Sequence, residues 1–340
     1  MKSYFLFFIL LFLFSMTLPA QDFVWKDCAV EIKASFRAVS VVNDYVAWVS
    51  GSNGWIGRTR DGGESWAFHQ IKNFEKLDYR SLYAFDSLHC VVANAGSPAY
   101  IFITADGGKN WKTVYQNESK EAFIDGLDFW DEQKGVAYGD PVNGRMLVIS
   151  SPDGGATWQE LAENNRPQLK PGEASFAASG TGLRCYGKKE IIITTGGKIS
   201  RLWKSKNSGE TWTVSDLPIL QNVETGGAFS AVFWKKNAVV VGGDFKNDTQ
   251  TGKHVFCSQD NGKTWILPMR PTRGLRECVE VLWNDNVVAI GPQGCDLSND
   301  GGFNWLALSD EKNFHVVRKA RNGKLVVAAG NGKIALITQK

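Results

Sequence analysis

Three arginines and a histidine recur at comparable places along the chain. Arg37, Arg80 and Arg276 stand 24, 26 and 24 positions ahead of Asp61, Asp106 and Asp300, and each follows an apolar or aromatic residue, Phe36, Tyr79 or Leu275. His315 follows Phe314 in the same way. A guanidinium offers a planar fork of N–H donors that matches a carboxylate or phosphate two hydrogen bonds at a time. Brought to one cavity, Arg37, Arg80, Arg276 and His315 would form a basic arc able to hold an anion. Asp125, Asp140, Glu173 and Asp244 fall at equivalent places on the facing side. Asp140 there would complete a charge-divided binding site. Asp125, Glu173 and Asp244 would bind a cation, orient a polar ligand, or work as acid and base. The plainer alternative is that each arginine pairs with a neighbouring acid and fixes packing, and that Asp140, beside Pro141, caps a turn.

Other chemistries lack their residues. There is no GxGxxG following a strand and opening a helix, no CxxCH, and no HExxH among the four histidines His69, His89, His254 and His315. No metal or cofactor site is therefore expected. The six cysteines, Cys28, Cys90, Cys185, Cys257, Cys278 and Cys295, include no CxxC, and disulfides and buried free thiols both remain open.

The elements that would carry these residues are written in a repeat. The pattern Ser/Thr-x-Asp-x-Gly-x-x-Trp occurs six times, ending at Trp66, Trp111, Trp158, Trp212, Trp265 and Trp305, with Asn207 in place of the aspartate once. The aspartate accepts hydrogen bonds from backbone just downstream, the glycine supplies a positive φ, and the tryptophan opens the next strand. The tryptophans lie 45, 47, 54, 53 and 40 positions apart, the span of one four-stranded propeller blade. The first blade reads as strands at 36–42, 45–50, 55–59 and 66–70. The tail beyond Phe314 holds three strands and no such turn, so one blade is a strand short. A spare strand at 23–29 fits the gap. The expected fold is all-β, a seven-bladed β-propeller over 21–340 closed by the N-terminal strand joining the C-terminal blade. Six blades is the alternative, with the tail as a cap.

Lys2, the apolar run 4–14 and the small residues up to Ala20 have the layout of an export signal, cut between Ala20 and Gln21. An exported, periplasmic or extracellular protein is expected. Losing that segment takes one charge, Lys2, from the net +3 and leaves +2. So small a balance gives no general attraction to nucleic acid or to an anionic membrane. A monomer is expected.

Beyond the turns, longer phrases resemble a known family. They are Ser35 to Ser40 with Ala47 to Gly51; Gly96-Ser97-Pro98; Phe129-Trp130-Asp131 with Gly139-Asp140-Pro141; Gly172 to Thr181; and Gly242-Gly243-Asp244. Together with the Asp-box (BNR) turns they resemble the photosystem II stability/assembly factor-like propellers, whose exported bacterial members often carry the label oxidoreductase. The resemblance implies a non-catalytic assembly factor that binds a partner protein or an anionic ligand on its channel face. The rival class is a sialidase-like hydrolase of glycans. Arg37 is followed by Ala38-Val39, without the Arg-Ile-Pro start of sialidases, and no Tyr/Glu nucleophile pair stands late in the chain. A glycosidase remains more compatible with the residues than an oxidoreductase.

Overall fold

The structure, a computed structural model, describes residues 23–339; the expected signal segment and its cut lie outside the described residues. Each Asp-box turn closes through the same hydrogen bonds. The Ser258 hydroxyl donates to Asp260 Oδ1 (2.8 Å) and accepts the Gly262 N–H (2.8 Å). The Asp260 carboxylate accepts the Thr264 N–H (2.9 Å) and hydroxyl (2.7 Å). Gly262 sits at φ +74°, where a side chain would be strained. Asn207 does the same with its carbonyl oxygen, accepting the Thr211 N–H at 3.0 Å. In four of the turns the tryptophan indole N–H reaches back to the glycine carbonyl, at 2.9–3.1 Å.

Between the turns lie antiparallel sheets. The strands Phe36–Val41, Ala47–Gly51, Trp55–Thr59 and Ala67–Gln70 follow one another in one sheet, and three further stretches of chain repeat this plan. The first strand of the chain joins the last three: Phe23–Cys28 pairs with Lys333–Gln339, Trp25 opposite Ile337 and Val24 opposite Thr338. The Trp25 ring stands edge-on to Phe314 at 4.8 Å. In mid-chain two sets of strands merge into one eight-stranded sheet, because Glu190–Gly197 runs on to pair Gly196 with Gly227. After Trp265 the expected fourth strand shrinks to a bridge between Cys257 and Ile266; Pro268, without an N–H, prevents its extension. The described residues contain no α-helix, only a 3-10 turn at Glu163–Asn165. No helix there is long and apolar enough to cross a membrane.

The sheets stack face to face, so their inner strands are covered on both sides. Cys90–Asn94 is buried at every position and reads as a continuous apolar run, whereas the outer strand Thr213–Asp216 is exposed throughout. The core is a series of layers between sheets. One packs Trp48 and Ile56 against Tyr79 and Phe102. Another packs Tyr138 and Val148 against Leu183 and Ile193. The first strand of each set touches that of the next, from Phe36–Val41 through Tyr79–Ala84, Ile124–Phe129, Leu183–Tyr186, Gly226–Trp234 and Cys278–Val281 to Phe314–Lys319, which touches Phe36–Val41. This is the β-propeller architecture. All six cysteines are free, four of them buried.

Hydrogen bonds from Thr264 and Asn110, backbone first, hold the Asp260 and Asp106 carboxyls at about 2. A folded value below the unfolded one, about 4, means the turns contribute fully above that pH and lose their contribution as pH falls toward about 2. Asp260→Asn keeps the acceptor, as Asn207 does, and is expected to flatten the acid limb of the urea midpoint. Asp260→Ala is expected to lower the midpoint at neutral pH as well. An Asp260→Asn protein that loses stability with acid as steeply as the wild type would contradict this.

Candidate functional site

A register slip builds the site. In five of the first strands one residue is left over against its partner strand: Arg37, Arg80, Asp125, Phe229 and His315. Such a bulge turns the extra side chain out of the sheet plane, here toward the axis on which the first strands converge. In four of the five a glycine on the second strand makes room for it, and opposite Arg80 that place is taken by Asn94. A Cβ on Gly51 would lie 2.0 Å from the Ser35 carbonyl oxygen, and one on Gly330 2.1 Å from that of Asn313.

The same glycine marker corrects the expected position in the sixth set. Gly291 backs onto Leu275, so Leu275 takes the place of Ser35, Arg276 that of Phe36, and Glu277 that of Arg37. Counting back from Asp300 misses by one because this stretch is one residue shorter. Arg276 therefore points into the sheet layers. It is 0% exposed, its guanidinium paired with Asp296 and the Leu275 carbonyl. It fixes packing and does not reach the cavity. Glu277 is the residue that sequence reasoning missed; aligning on the glycine after the second strand would have found it.

Arg37, Arg80, Glu277 and His315 converge on a cavity of about 340 Å³. Glu277 Oε2 lies 2.6 Å from His315 Nδ1, and both of its oxygens are 3.5 Å from Arg37 Nη1. Burial pushes the Glu277 carboxyl up, but His315 and Arg37 outweigh it and hold the group below its ordinary value. Arg80 Nε donates to Asp78 at 2.7 Å. The opposite wall is aromatic: Phe176 stacks on Phe229 at 4.4 Å, and Phe245, half exposed at the rim, meets Phe176 edge-on.

The floor is a strap, residues 176–181. The fourth set lacks the bulge, because its first strand begins only at Leu183 and the chain before it leaves the sheet. The strap reaches four other sets of strands, one of them through Thr181, whose hydroxyl donates to Ser230 Oγ. Its Ala178 carbonyl accepts from Arg37 (3.0 Å) and its Ala177 carbonyl from Arg80 (3.3 Å), while Ser179 donates to the Glu277 carbonyl (2.8 Å). Gly180, at φ +65°, presses against the Arg80 backbone. Beyond the strap the channel narrows to about 10 Å³ beside Ser40, Ser81, Asp128 and Arg318.

The expected acids do not gather in this cavity. Glu173 is buried, and its carboxylate accepts from Arg201 Nε (2.9 Å), Thr195 Oγ1 (2.6 Å), Trp203 Nε1 (3.0 Å) and the Lys170 N–H (3.0 Å). Burial pushes the Glu173 carboxyl up, yet Arg201 and the other donors hold it below its ordinary value. Asp244 caps the start of its loop, accepting the Thr225 hydroxyl and the Lys246 N–H. Asp125 and Asp140 lie apart from the cavity lining. Asp125 is 1% exposed, and burial, then Asp140, pushes its carboxyl well up. Among the described residues no three His, Cys, Asp or Glu side chains gather as a metal group.

Residues 18–120 match the family model described as "Photosynthesis system II assembly factor YCF48". The fold is similar to a structure titled "YCF48 bound to D1 peptide", at 14% identity and TM-score 0.68 over 95% of this chain and 98% of that one. It is also similar to YCF48 from Cyanidioschyzon merolae, at 15% and 0.66 over 92% and 98%. The WD40 β-propeller domain of Doa1 gives 12% and 0.62 over 93% and 97%. No curated protein sequence matches. The likeness to these solved structures is one of β-propeller fold, and the family model covers the first part of the chain only.

Glu173→Gln, which leaves Arg201 buried without its counter-charge, is expected to cost about 3–5 kcal/mol of stability in urea titration. A stable Glu173→Gln protein would show that the carboxylate is free for other work.

Proposed function

We propose that the chain is an exported, seven-bladed propeller that holds an extended segment of a partner protein at its channel mouth, through an anionic group, without reacting with it. Two observations support seven blades closed by the N-terminal strand. The eight-stranded sheet divides at the single Gly196–Gly227 pair into two successive sets, and the first strands of the first and last sets touch. The observation that carries the function is the cavity itself: the Arg37 and Arg80 forks stand across from the Phe176, Phe229 and Phe245 wall. Such a mouth suits a chain that presents a carboxylate beside an apolar side chain. The cavity's one carboxylate, Glu277, is spent on His315 and Arg37, which leaves Arg80 and the outer face of Arg37 for the ligand. A YCF48 of the same fold is recorded with a D1 peptide, which makes peptide the class of partner to try. The proposal of export rests on Lys2 and the apolar run after it.

The test is fluorescence anisotropy with a library of acidic, aromatic-containing peptides and their amide-substituted counterparts. Arg37→Ala and Arg80→Ala are each expected to weaken the acidic peptides about tenfold, the worth of one charge-assisted hydrogen bond, and to leave the amides unchanged. A double variant that binds as the wild type does would reject the reading, as would hydrolysis of a chromogenic glycoside that disappears in Glu277→Gln.

A further inference from the structure

Asp125 is a carboxyl in an unusual position. It is the bulge residue of its strand, 1% exposed, and its Oδ2 meets no hydrogen-bond donor. The repeat gives it a neighbour. Gly139 backs onto the Phe123 carbonyl as Gly330 backs onto that of Asn313, so Asp140 takes the place of Asn331. In the last sheet that place lies within reach of the bulge side chain, with His315 Nε2 3.2 Å from Asn331 Oδ1. Asp140 thus stands beside Asp125 and adds to the cost of ionising it.

Two further buried hydroxyls of this region lack partners. Ser175, whose backbone N–H favours the ionised Asp140 against burial, is 7% exposed, and its Oγ makes no hydrogen bond. The Tyr138 hydroxyl is likewise buried and unpartnered, and burial, then Asp125 and Asp140, suppresses its ionisation. The nearby Arg80 eases the Asp125 charge from a distance, but its Nε turns to Asp78 at 2.7 Å and it donates no hydrogen bond to Asp125. Burying a carboxylate with no donors is prohibitive unless something neutralises it.

We propose that Asp125 and Asp140, with the Ser175 hydroxyl, bind a hard divalent cation of the calcium class. The donors are all oxygen, which selects calcium or magnesium over thiophilic metals. Calcium takes about six to eight oxygens in flexible geometry, and water supplies those the protein does not. With only two carboxylates the affinity falls in the weak range of extracellular modules, about 10⁻⁴–10⁻³ M. The ion ties the Ile124–Phe129 and Gly135–Val142 strands to the root of the strap, two residues before the Ala177 carbonyl that accepts from Arg80. It is a structural ion that sets the cavity floor.

The experiment is calorimetric titration of the EDTA-stripped full chain with calcium chloride, in parallel with thermal melting. Wild type is expected to give a saturable heat and a melting temperature that rises with calcium. Asp125→Asn, Asp140→Asn and Ser175→Ala are expected to lose or weaken both, and Arg37→Ala to keep them. Arg37→Ala separates this site from the peptide reading, so either can fail alone. No saturable heat by about 10 mM calcium or magnesium overturns the proposal and leaves a proton as the neutralising species, the more so if Asp125→Asn melts higher than wild type. Calcium binding that survives unchanged in both aspartate variants overturns it equally.

Discussion

A β-strand that carries one residue more than its partner must put that residue somewhere, and in this chain it goes to the axis. Four of the five slips sit opposite a glycine of the second strand, where a Cβ would collide with backbone, and the fifth, at Arg80, sits opposite Asn94. Everything that faces the cavity from the sheets depends on this. Arg37, Arg80 and His315 reach it because each is the spare residue of its strand, and Glu277 because it holds the corresponding place just before Cys278–Val281; their immediate neighbours, such as Phe36 and Arg276, are turned between sheets and buried.

The second consequence concerns charge. Between stacked sheets a guanidinium or carboxylate survives only when it is fully paired. Arg276 with Asp296 and Glu173 with Arg201 meet that condition, and with it they lose any capacity to engage a ligand. At the mouth the demand relaxes. Arg37 holds Glu277 at 3.5 Å and a strap carbonyl at 3.0 Å, a looser arrangement that leaves its side chain partly exposed. The strap makes this difference possible. By leaving its sheet it supplies carbonyls to both arginines, orients them, and divides the channel into an open cavity and a nearly closed passage. Asp125 is the case that fits neither condition, buried yet without a donor.

The turns, the strands and their four-at-a-time grouping were legible in the sequence, because their causes are local. A Ser/Thr hydroxyl, an aspartate two residues on and a glycine two further make a turn with no help from the rest of the molecule, and six copies fix its period. The pairing of Phe23–Cys28 with the last strand was also readable, since a tail of three strands and one unused strand leave little choice. Three of the four basic residues were placed at the cavity for the same reason: they keep a fixed distance from a local landmark. Arg276 was misplaced and Glu277 missed because that distance is one residue shorter in one repeat, and a slip of one reverses which way a strand's side chain points. The roles of Glu173 and Asp244 depend on partners 19 to 28 residues away, and the crossing of the strap on contacts between residues as far apart as Arg37 and Ala178. Such distances are set by how sheets stack, a property of the assembled layers that no stretch of chain carries by itself.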